Sequence, residues 1–415
     1  MARPDRIVVV GASLAGLRAA EALRARGFEG DLTIVGAERH PPYTRPPLSK
    51  QLLAGAQEPG DCALRHDDLG ADWRLGTSAV GLDPDRRSVL LSGGEELSYD
   101  GLLLATGSAA RPWPGPLPRA GVHTLRELDD ALALRAAVAQ GGPVAVVGAG
   151  FVGSEVAATL RGRGLAVTLI DVAPLPMTPL GPRLGRLCAA LHAEHGVELR
   201  LSAGVEAFEG DERLAAVRLA GGERVPAAVA VVATGAVPNV GWLRGSGLTL
   251  ERGGVLCDAA CAAVGVEDVF CAGDIACWPH PLADGEPVRV EHWSNAAEQG
   301  AAAAANLLAD PGDRVPYAVV PSFWSDQYEV KIQSVGFPHR GTAEHHVVGS
   351  LEDRRFLLAY EREGRVVGAA GFRAMRHIPH FRRHVADRAP IEHVLDGAAG
   401  PARAPVTPAA GPRQT

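Results

Sequence analysis

The sequence predicts an α/β fold in which two βαβ units with parallel sheets are followed by a smaller α+β domain. The main observation is a repeated order of strand, glycine turn, helix, strand and acidic residue, which starts at residue 6 and again at residue 142. The second observation is a mixture of β-like runs and a basic stretch from residue 316 onward. A chain of 415 residues is also long for one core, which favours two or three domains.

The first unit begins with the apolar strand RIVVV (6–10), which leads into a glycine turn and the helical pattern LRAAEALRARG. Gly11 is expected to allow the tight turn, and Gly16 the close packing of helix on strand. Ser13 replaces the middle glycine of such turns, and we expect its hydroxyl to donate to a phosphate at the helix N-terminus. Glu38 ends the next strand and can accept hydrogen bonds from ribose hydroxyls. These features predict a Rossmann-like dinucleotide site.

The second unit repeats the pattern with all three glycines, Gly148, Gly150 and Gly153, between the strand GPVAVV and the helix SEVAATLRGRG. Asp171 ends its second strand, and no arginine follows before Arg183. An acidic residue at this point should repel a 2′-phosphate, so the unit is predicted to bind NAD rather than NADP. A duplicated α/β core without ligands is the alternative. Two nucleotide sites in one chain indicate electron transfer between two dinucleotides.

Two similar segments join these units. The run YDGLLLATGSAARPWPG (99–115) places Thr106 and Gly107 in a small-residue turn, and AAVAVVATGAVPN (227–239) repeats it. Asp274 follows a later strand, in VEDVFCAGDIA, where an acid can hold the hydroxyls of a ribityl chain. A purely structural turn is the alternative for each. In this order the segments predict an FAD domain, residues 1–115 and 235–315, interrupted by an NAD domain, residues 116–234.

The stretch RVEHWSNAAEQGAAAAANLL predicts a helix near this flavin. Asn295 with Glu298 has the spacing of a capping box, so the helix is expected to begin at Asn295. The N-terminus of that helix would stabilise the negative charge of a reduced flavin. Trp293 is expected to cover the flavin ring, or to be an ordinary core residue.

Composition excludes several classes of function. A net charge of −7 argues against a general nucleic-acid binder, and the apolar runs are too short to cross a membrane. No export signal is recognisable at the N-terminus, so a cytoplasmic location is expected. The six cysteines form no CxxC pair and lack metal-ligand spacing, so we expect reduced thiols and no metal site.

The C-terminal region is predicted to form an interface domain at residues 316–397, followed by a disordered tail at 398–415. Its basic stretch GFRAMRHIPHFRRHVADR could steer an acidic partner or be a solvated helix face. Its histidines, at positions 377, 380 and 384, have no acidic partner that would suggest a metal site. Its charged groups are five arginines against one acid: Arg373, Arg376, Arg382, Arg383, Arg388 and Asp387.

From residue 6 to about 395 the chain resembles the FAD-dependent NADH:ferredoxin reductases, which have a glutathione-reductase-like arrangement of domains. The motifs that carry the resemblance are PPYTRPPLSKQLLAG, LRELDDA, GAGFVGSEVA, CAGDIA, WSNAAEQG and FWSDQYEVKIQSVG. The resemblance implies that FAD is contacted by Ala15, Glu38, Arg45, Lys50, Val80, Arg126, Asp274 and Trp293. It implies that NADH is bound by Gly150, Val152, Glu155, Asp171 and Gly235.

The same resemblance implies the electron path. Lys50 would lie near flavin N5, Glu155 near the nicotinamide, and Trp324 at the face used by the redox partner. RPPLSK (45–50) contains no cysteine, so an external one-electron acceptor is expected. The implied acceptor is an acidic [2Fe–2S] ferredoxin that serves a cytochrome P450 or a ring-hydroxylating dioxygenase, with the reductase a monomer or weak homodimer.

Three departures from the family pattern concern the partner face and the NADH site. Ser322 stands where family members often have a tryptophan. The segment VAPLPMTPLG, which follows Asp171, lacks the arginines that are usual there. The segment AAGFRAMRHI (369–378) differs from the Asn-containing segment that is usual in the C-terminal domain. Two other functions remain open at this point. One is a reductase for a small acceptor such as oxygen, a quinone or monodehydroascorbate, and the other is a non-enzymatic flavoprotein that responds to its redox state.

Overall fold

The structure, a computed structural model, describes residues 4–398. Within this range the helices are α1 (Leu14–Ala25), α2 (Gln51–Ala54), α3 (Leu128–Val138), α4 (Phe151–Gly162), α5 (Gly181–Glu194), α6 (Trp293–Leu307), α7 (Ile378–Ala386) and α8 (Ile391–Ala398). The predicted tail lies outside the described residues, apart from Ala398 at the end of α8. No helix between residues 4 and 398 is both long and apolar enough to span a membrane.

The strands fall into three groups along the chain. The first group is β1 (Arg6–Val10), β2 (Asp31–Gly36), β3 (Asp72–Leu75), β4 (Ala79–Asp83), β5 (Ser88–Leu91), β6 (Glu96–Ser98), β7 (Gly101–Leu104) and β8 (Ser108–Ala110). The second is β9 (Val122–His123), β10 (Val144–Val147), β11 (Val167–Asp171), β12 (Glu198–Leu201), β13 (Val205–Glu209), β14 (Ala216–Leu219), β15 (Arg224–Pro226) and β16 (Val229–Val232). The third is β17 (Ala236–Pro238), β18 (Leu250–Glu251), β19 (Gly254–Leu256), β20 (Val269–Cys271), β21 (Ala276–Pro279), β22 (Pro287–Val288), β23 (Ser322–Gln327), β24 (Val330–Gly336), β25 (Ala343–Ser350), β26 (Arg355–Arg362) and β27 (Arg365–Phe372).

The first parallel sheet has the order β20-β7-β1-β2-β3. Its central strand β1 is buried from Ile7 to Val10, as expected for a parallel strand covered on both faces. Helix α1 connects β1 to β2 and packs closely on α6, where a side chain at Gly300 would overlap the carbonyl of Ala15. Because β20 comes from beyond the second unit, this sheet is assembled from two separate segments of the chain.

The second parallel sheet has the order β12-β11-β10-β16-β9, with α4 as the crossover from β10 to β11. The two chain segments that connect the units pair with each other, β8 antiparallel to β17. Thr106 Oγ1 also donates to the carbonyl of Asn239, at 2.8 Å. This double connection fixes the two units against each other, and the predicted α/β fold is confirmed.

The C-terminal residues form an antiparallel sheet of order β23-β24-β27-β26-β25, against which α7 packs. The run RFLLAYEREGRVVGAAGF, predicted to be β-like, forms the hairpin β26–β27. The basic stretch, however, is less positive than its sequence suggests, because acids from distant segments reach its arginines. The ion pairs are Arg373–Glu329 (3.4 Å), Arg382–Glu298 (3.4 Å) and Arg388–Asp284 (2.7 Å).

Candidate active site

A cavity of about 610 Å³ lies where the two units and the C-terminal sheet meet. It is bordered by the glycine turn after β1, the N-terminal ends of α4 and α6, and the start of β23. This volume lies in the usual range of small-molecule and cofactor sites.

The glycine turn of the first unit forms one wall of the cavity. Gly11 has φ +128°, and a Cβ there would overlap the carbonyl of Ala105. Ser13 and Ala15 line the cavity. Gly16 lies behind them and packs against the turn, where a Cβ would overlap the carbonyl of Gly11. Ser13 precedes α1 without making a side-chain cap, so the first N–H groups of the helix remain available to a phosphate.

Glu38 is held by two neighbours at the edge of the same cavity. The Arg45 guanidinium forms an ion pair with its carboxylate, and the Tyr43 hydroxyl donates to the second carboxylate oxygen. Arg45 also donates to the carbonyl of Arg126, at 2.7 Å, and Leu128 N–H donates to the Tyr43 hydroxyl, at 2.9 Å. Burial raises the pKa of Tyr43, so it stays a neutral donor. Glu38 is thus fixed in orientation and keeps lone pairs for ribose hydroxyls.

A second ion pair crosses the cavity wall between distant segments. Arg126 Nη2 lies 2.5 Å from Asp274 Oδ2, and Arg126 also donates to the carbonyl of Ser108, at 2.8 Å. Asp274 is buried, so the guanidinium is needed to compensate its charge. Thr106 and Gly107 line the cavity beside this pair, and Gly107 takes the φ of +63° that the turn requires.

Lys50 and Glu155 join the two units at the cavity. Lys50 follows the 3₁₀ turn Pro46–Ser49, and Glu155 lies on α4 of the second unit. Their charged groups are 2.6 Å apart, and only 11% and 8% of the two side chains is exposed. Each charge therefore has the other as its partner, and both residues line the cavity.

Two tryptophans close the cavity on the side of the C-terminal sheet. Trp293 and Trp324 contact each other edge to face, with ring centroids 5.8 Å apart, and both line the cavity. The predicted capping box is wrong, because α6 begins at Trp293 with His292 as its N-cap. Asn295 lies inside the helix, where its buried amide donates to the carbonyl of Val290 (3.1 Å) and to Gln299 (3.2 Å).

The expected flavin contact of Val80 is not supported by its position. The Val80 side chain is 47% exposed outside the cavity, whereas the preceding Ala79 lines it. Val80 is the extra residue at an irregularity in the pairing of β4 with β5, which separates it from the regular register of the strand.

The turn of the second unit lies on a more open surface. A Cβ at Gly148 would overlap the carbonyl of Ala233 and one at Gly153 the carbonyl of Gly148, whereas Gly150 has open space on its Cβ side. Gly235 is exposed at the end of the matching small-residue turn, and Val152 lies at the cavity edge.

Asp171 borders this open turn. Its carboxylate accepts the N–H groups of Ala149 (2.5 Å) and Ala173 (2.7 Å). The acid is therefore oriented by backbone and accessible to a nucleotide.

Sequence reasoning missed several residues of the site. Tyr43 and Ser49 belong to PPYTRPPLSK and could have been singled out as polar residues beside Arg45 and Lys50. Ser325 reaches Glu155 from β23, and its only signal was its place beside Trp324. His292 also lines the cavity, and burial lowers its pKa to about 4, so it is neutral at pH 7.

The residues present fit FAD in this cavity. The glycine turn leaves no room for a Cβ at Gly11, the start of α1 can receive a pyrophosphate, and Glu38 and Asp274 offer carboxylates for hydroxyl groups. The open second turn and Asp171 fit a nicotinamide dinucleotide that would extend to Glu155 on the same unit, where this unit meets the first.

Comparison with known proteins agrees with this geometry. Residues 5–300 match the pyridine nucleotide-disulphide oxidoreductase family, and residues 322–398 match the reductase C-terminal family. The ferredoxin–NAD(+) reductase component of the biphenyl dioxygenase system of Paraburkholderia xenovorans is 37% identical, over 93% of this chain and 94% of that protein. Rhodocoxin reductase of Rhodococcus erythropolis is 36% identical, over 93% and 90%.

A solved structure extends the likeness to three dimensions. The covalent putidaredoxin reductase–putidaredoxin complex contains a chain that matches with a TM-score of 0.87 and 30% identity, over 95% of this chain and 99% of that chain. The resemblance found in the sequence is thereby confirmed. The chain belongs to the pyridine nucleotide-disulphide oxidoreductase family and, within it, to the ferredoxin–NAD(+) reductases.

Proposed function

We propose that this enzyme passes electrons from NADH, through bound FAD, one at a time to a [2Fe–2S] ferredoxin. The observation that carries the proposal is the junction at Lys50 and Glu155, where the two nucleotide units meet in one cavity that Trp324 borders. No cysteine is among the described residues that line this cavity. A dithiol acceptor beside the flavin is therefore not built into the site.

The cysteines elsewhere support an external acceptor. All six are buried and unpaired, and burial raises the pKa of Cys188 to about 12. Such thiols are protonated at neutral pH and are poor nucleophiles. Reduced thiols also agree with a cytoplasmic location.

Both cofactors of the family, FAD and NAD(H), have defined places in the proposed cycle. FAD supplies the chemistry that accepts a hydride and releases electrons singly. The protein orients the cofactor and compensates its charge. Ser13 and the start of α1 would hold the pyrophosphate of FAD, and Arg126 and Asp274 would hold its ribityl chain. Asp171 binds the NADH ribose and disfavours the 2′-phosphate of NADPH.

Lys50 is proposed to donate a hydrogen bond at the flavin while Glu155 keeps the ammonium in place. The pair is neutral as a whole, so it can stay buried before and after a negatively charged hydride arrives. Trp293 and Trp324 exclude water from this face of the cavity.

The ferredoxin is proposed to dock beside Trp324. Helix α7 lies near this point, since Arg382 reaches Glu298 on α6. Of the basic stretch, Arg376 and Arg383 are exposed and have no carboxylate within ion-pair distance among the described residues. These two arginines would attract an acidic ferredoxin. Relatives act in dioxygenase systems or with rhodocoxin, and we propose a P450 or a ring-hydroxylating dioxygenase as the terminal acceptor.

The test is an anaerobic assay with the FAD-loaded protein, NADH, a [2Fe–2S] ferredoxin and cytochrome c. We expect NADH to bleach the flavin, and cytochrome c to be reduced only when ferredoxin is present. Fast NADH consumption in air with no protein partner, and no ferredoxin-dependent reduction, would instead assign a small-molecule acceptor.

A further inference from the structure

The Glu155 carboxylate has a different donor set at each oxygen. Oε2 accepts Lys50 Nζ at 2.6 Å and Ser49 Oγ at 2.5 Å, both from the first unit. Oε1 accepts Ser325 Oγ at 2.9 Å, from β23 of the C-terminal sheet. Glu155 itself lies on α4 of the second unit. Three parts of the fold therefore meet at one carboxylate.

The direction of the Ser325 hydroxyl follows from its neighbours. Ser325 is fully buried, and the Gln327 amide Nε2 lies 3.3 Å from its Oγ. Since the amide donates to this oxygen and an ionised carboxylate can only accept, the single hydroxyl proton points to Glu155. A hydrogen bond to a charged acceptor is stronger than one between neutral groups.

We propose that Ser325 is a positioning residue for the flavin chemistry. Its hydroxyl fixes the rotation of the Glu155 carboxylate and thereby the place of Lys50 Nζ. This inference rests on the proposed function, because it assumes that Lys50 and Glu155 serve a bound flavin and NADH.

The hydrogen bond from Ser325 to Glu155 also connects the Lys50–Glu155 ion pair to β23, the strand that carries Trp324 at the proposed ferredoxin face. Ser325 follows Trp324 on β23, and their side chains point to opposite faces of the strand. Trp324 contacts Trp293 at the cavity, while Ser325 contacts Glu155. The strand that is proposed to meet the ferredoxin thus also holds the carboxylate at the hydride site.

The test compares Ser325→Ala with Ser334→Ala in the FAD-loaded protein. Ser334 is a matched control, because it is a buried serine on the neighbouring strand β24 whose hydroxyl has no partner among the described residues. Ser325→Thr keeps a hydroxyl and serves as the conservative variant. FAD content and thermal midpoint establish that each variant is folded.

Two properties are measured anaerobically: the limiting rate of flavin bleaching at saturating NADH, and the flavin midpoint potential by chemical reduction. We expect Ser325→Ala to lower the limiting rate roughly tenfold, the effect of one lost hydrogen bond to a charged group. The NADH concentration at half-maximal rate should stay unchanged, because Ser325 is buried behind Glu155. The midpoint potential of the flavin should fall, because the Glu155 carboxylate loses the hydroxyl dipole of Ser325. Its negative charge then disfavours the negatively charged reduced flavin more strongly.

Ser334→Ala should match the wild type, and Ser325→Thr should recover most of the rate. An unchanged rate and potential in folded Ser325→Ala would overturn the inference while leaving the proposed function intact. Failure of NADH to bleach the wild type would contradict the proposed function. The chemical reduction would still show whether Ser325 affects the flavin.

Discussion

The two nucleotide units use the same turn but present it differently. In the first unit the small-residue turn at Thr106 and Gly107 is partly buried and lines the cavity, whereas Thr234 and Gly235 in the second unit are exposed. Glu38 is held by side chains, whereas Asp171 is held by two backbone N–H groups at an open surface. This difference supports the proposal that the first site retains FAD and that NAD(H) exchanges at the second.

The largest effect is expected where the turn has no room for a side chain. Gly11→Ala combines an overlap with the Ala105 carbonyl and a φ of +128°, so we expect a loss of stability of about 3 kcal/mol or more and loss of FAD. Gly150→Ala, in open space at the second turn, should leave stability and FAD content unchanged and weaken only NADH binding. Thermal midpoints and the FAD-to-protein ratio measure the contrast. Equal FAD loss in both variants would remove the distinction between the sites.

The junction between the units is tested next. Lys50→Met leaves the buried Glu155 carboxylate without its cation and removes the donor at the flavin, so we expect flavin bleaching by NADH to slow roughly 100-fold. Stopped-flow absorbance measures this rate. The double variant Lys50→Met with Glu155→Gln has no unpaired charge, so it should regain stability but not rate. A single variant with normal bleaching would exclude Lys50 from the reaction.

Acidification should destabilise the second unit through His192. This histidine is buried on α5 with its Nδ1 3.0 Å from the Tyr328 hydroxyl, and burial lowers its pKa to about 4. The unfolded chain takes up this proton near pH 6.5, so stability is lost as the pH falls from about 6.5 to 4, by about 2 kcal/mol at pH 5. Urea unfolding of wild type and His192→Gln at pH 7 and pH 5 measures it. The variant should lose less stability between these pH values, and an equal loss would contradict the assignment.

A smaller effect is expected at the open nucleotide site. Asp171→Asn keeps one oxygen acceptor but removes the charge, so we expect NADH to bind roughly five- to tenfold more weakly and discrimination against NADPH to decrease. Bleaching titrations with NADH and NADPH measure both affinities. FAD content serves as the internal control, because Asp171 is outside the cavity lining. Unchanged discrimination would show that another group repels the 2′-phosphate.

The smallest effect concerns the partner face. Arg383→Glu should lower ferredoxin-dependent cytochrome c reduction about threefold at low salt and less at high salt, since exposed charges act mainly on association. Arg186→Glu, at an exposed arginine on α5, is the matched control and should have no effect. Equal losses in both variants would indicate a general charge effect and not a docking site.

The sequence predicted the features that depend on local pattern. The turns at Gly11 and Gly148 and the strands on either side of them follow from apolar runs and glycine spacing, and the structure contains them. The start of α6 was mispredicted because Asn295 and Glu298 have capping-box spacing, yet Asn295 uses its amide on Val290 and Gln299.

Contacts between distant segments could not be predicted from pattern. Arg126 and Asp274 are far apart in the chain, as are Ser325 and Glu155, and only the folded chain brings each pair together. The charge of the basic stretch was overestimated for the same reason, since Glu298 and Asp284 approach it from other elements.

The most direct test of the account is an anaerobic titration of extensively dialysed protein with NADH and, separately, NADPH. We predict that the flavin absorbance survives dialysis at one FAD per chain, that one equivalent of NADH bleaches it, and that NADPH at the same concentration does not. Loss of FAD on dialysis would contradict a retaining first site. Equal bleaching by NADPH, or none by NADH, would contradict an exchanging NADH site at Asp171.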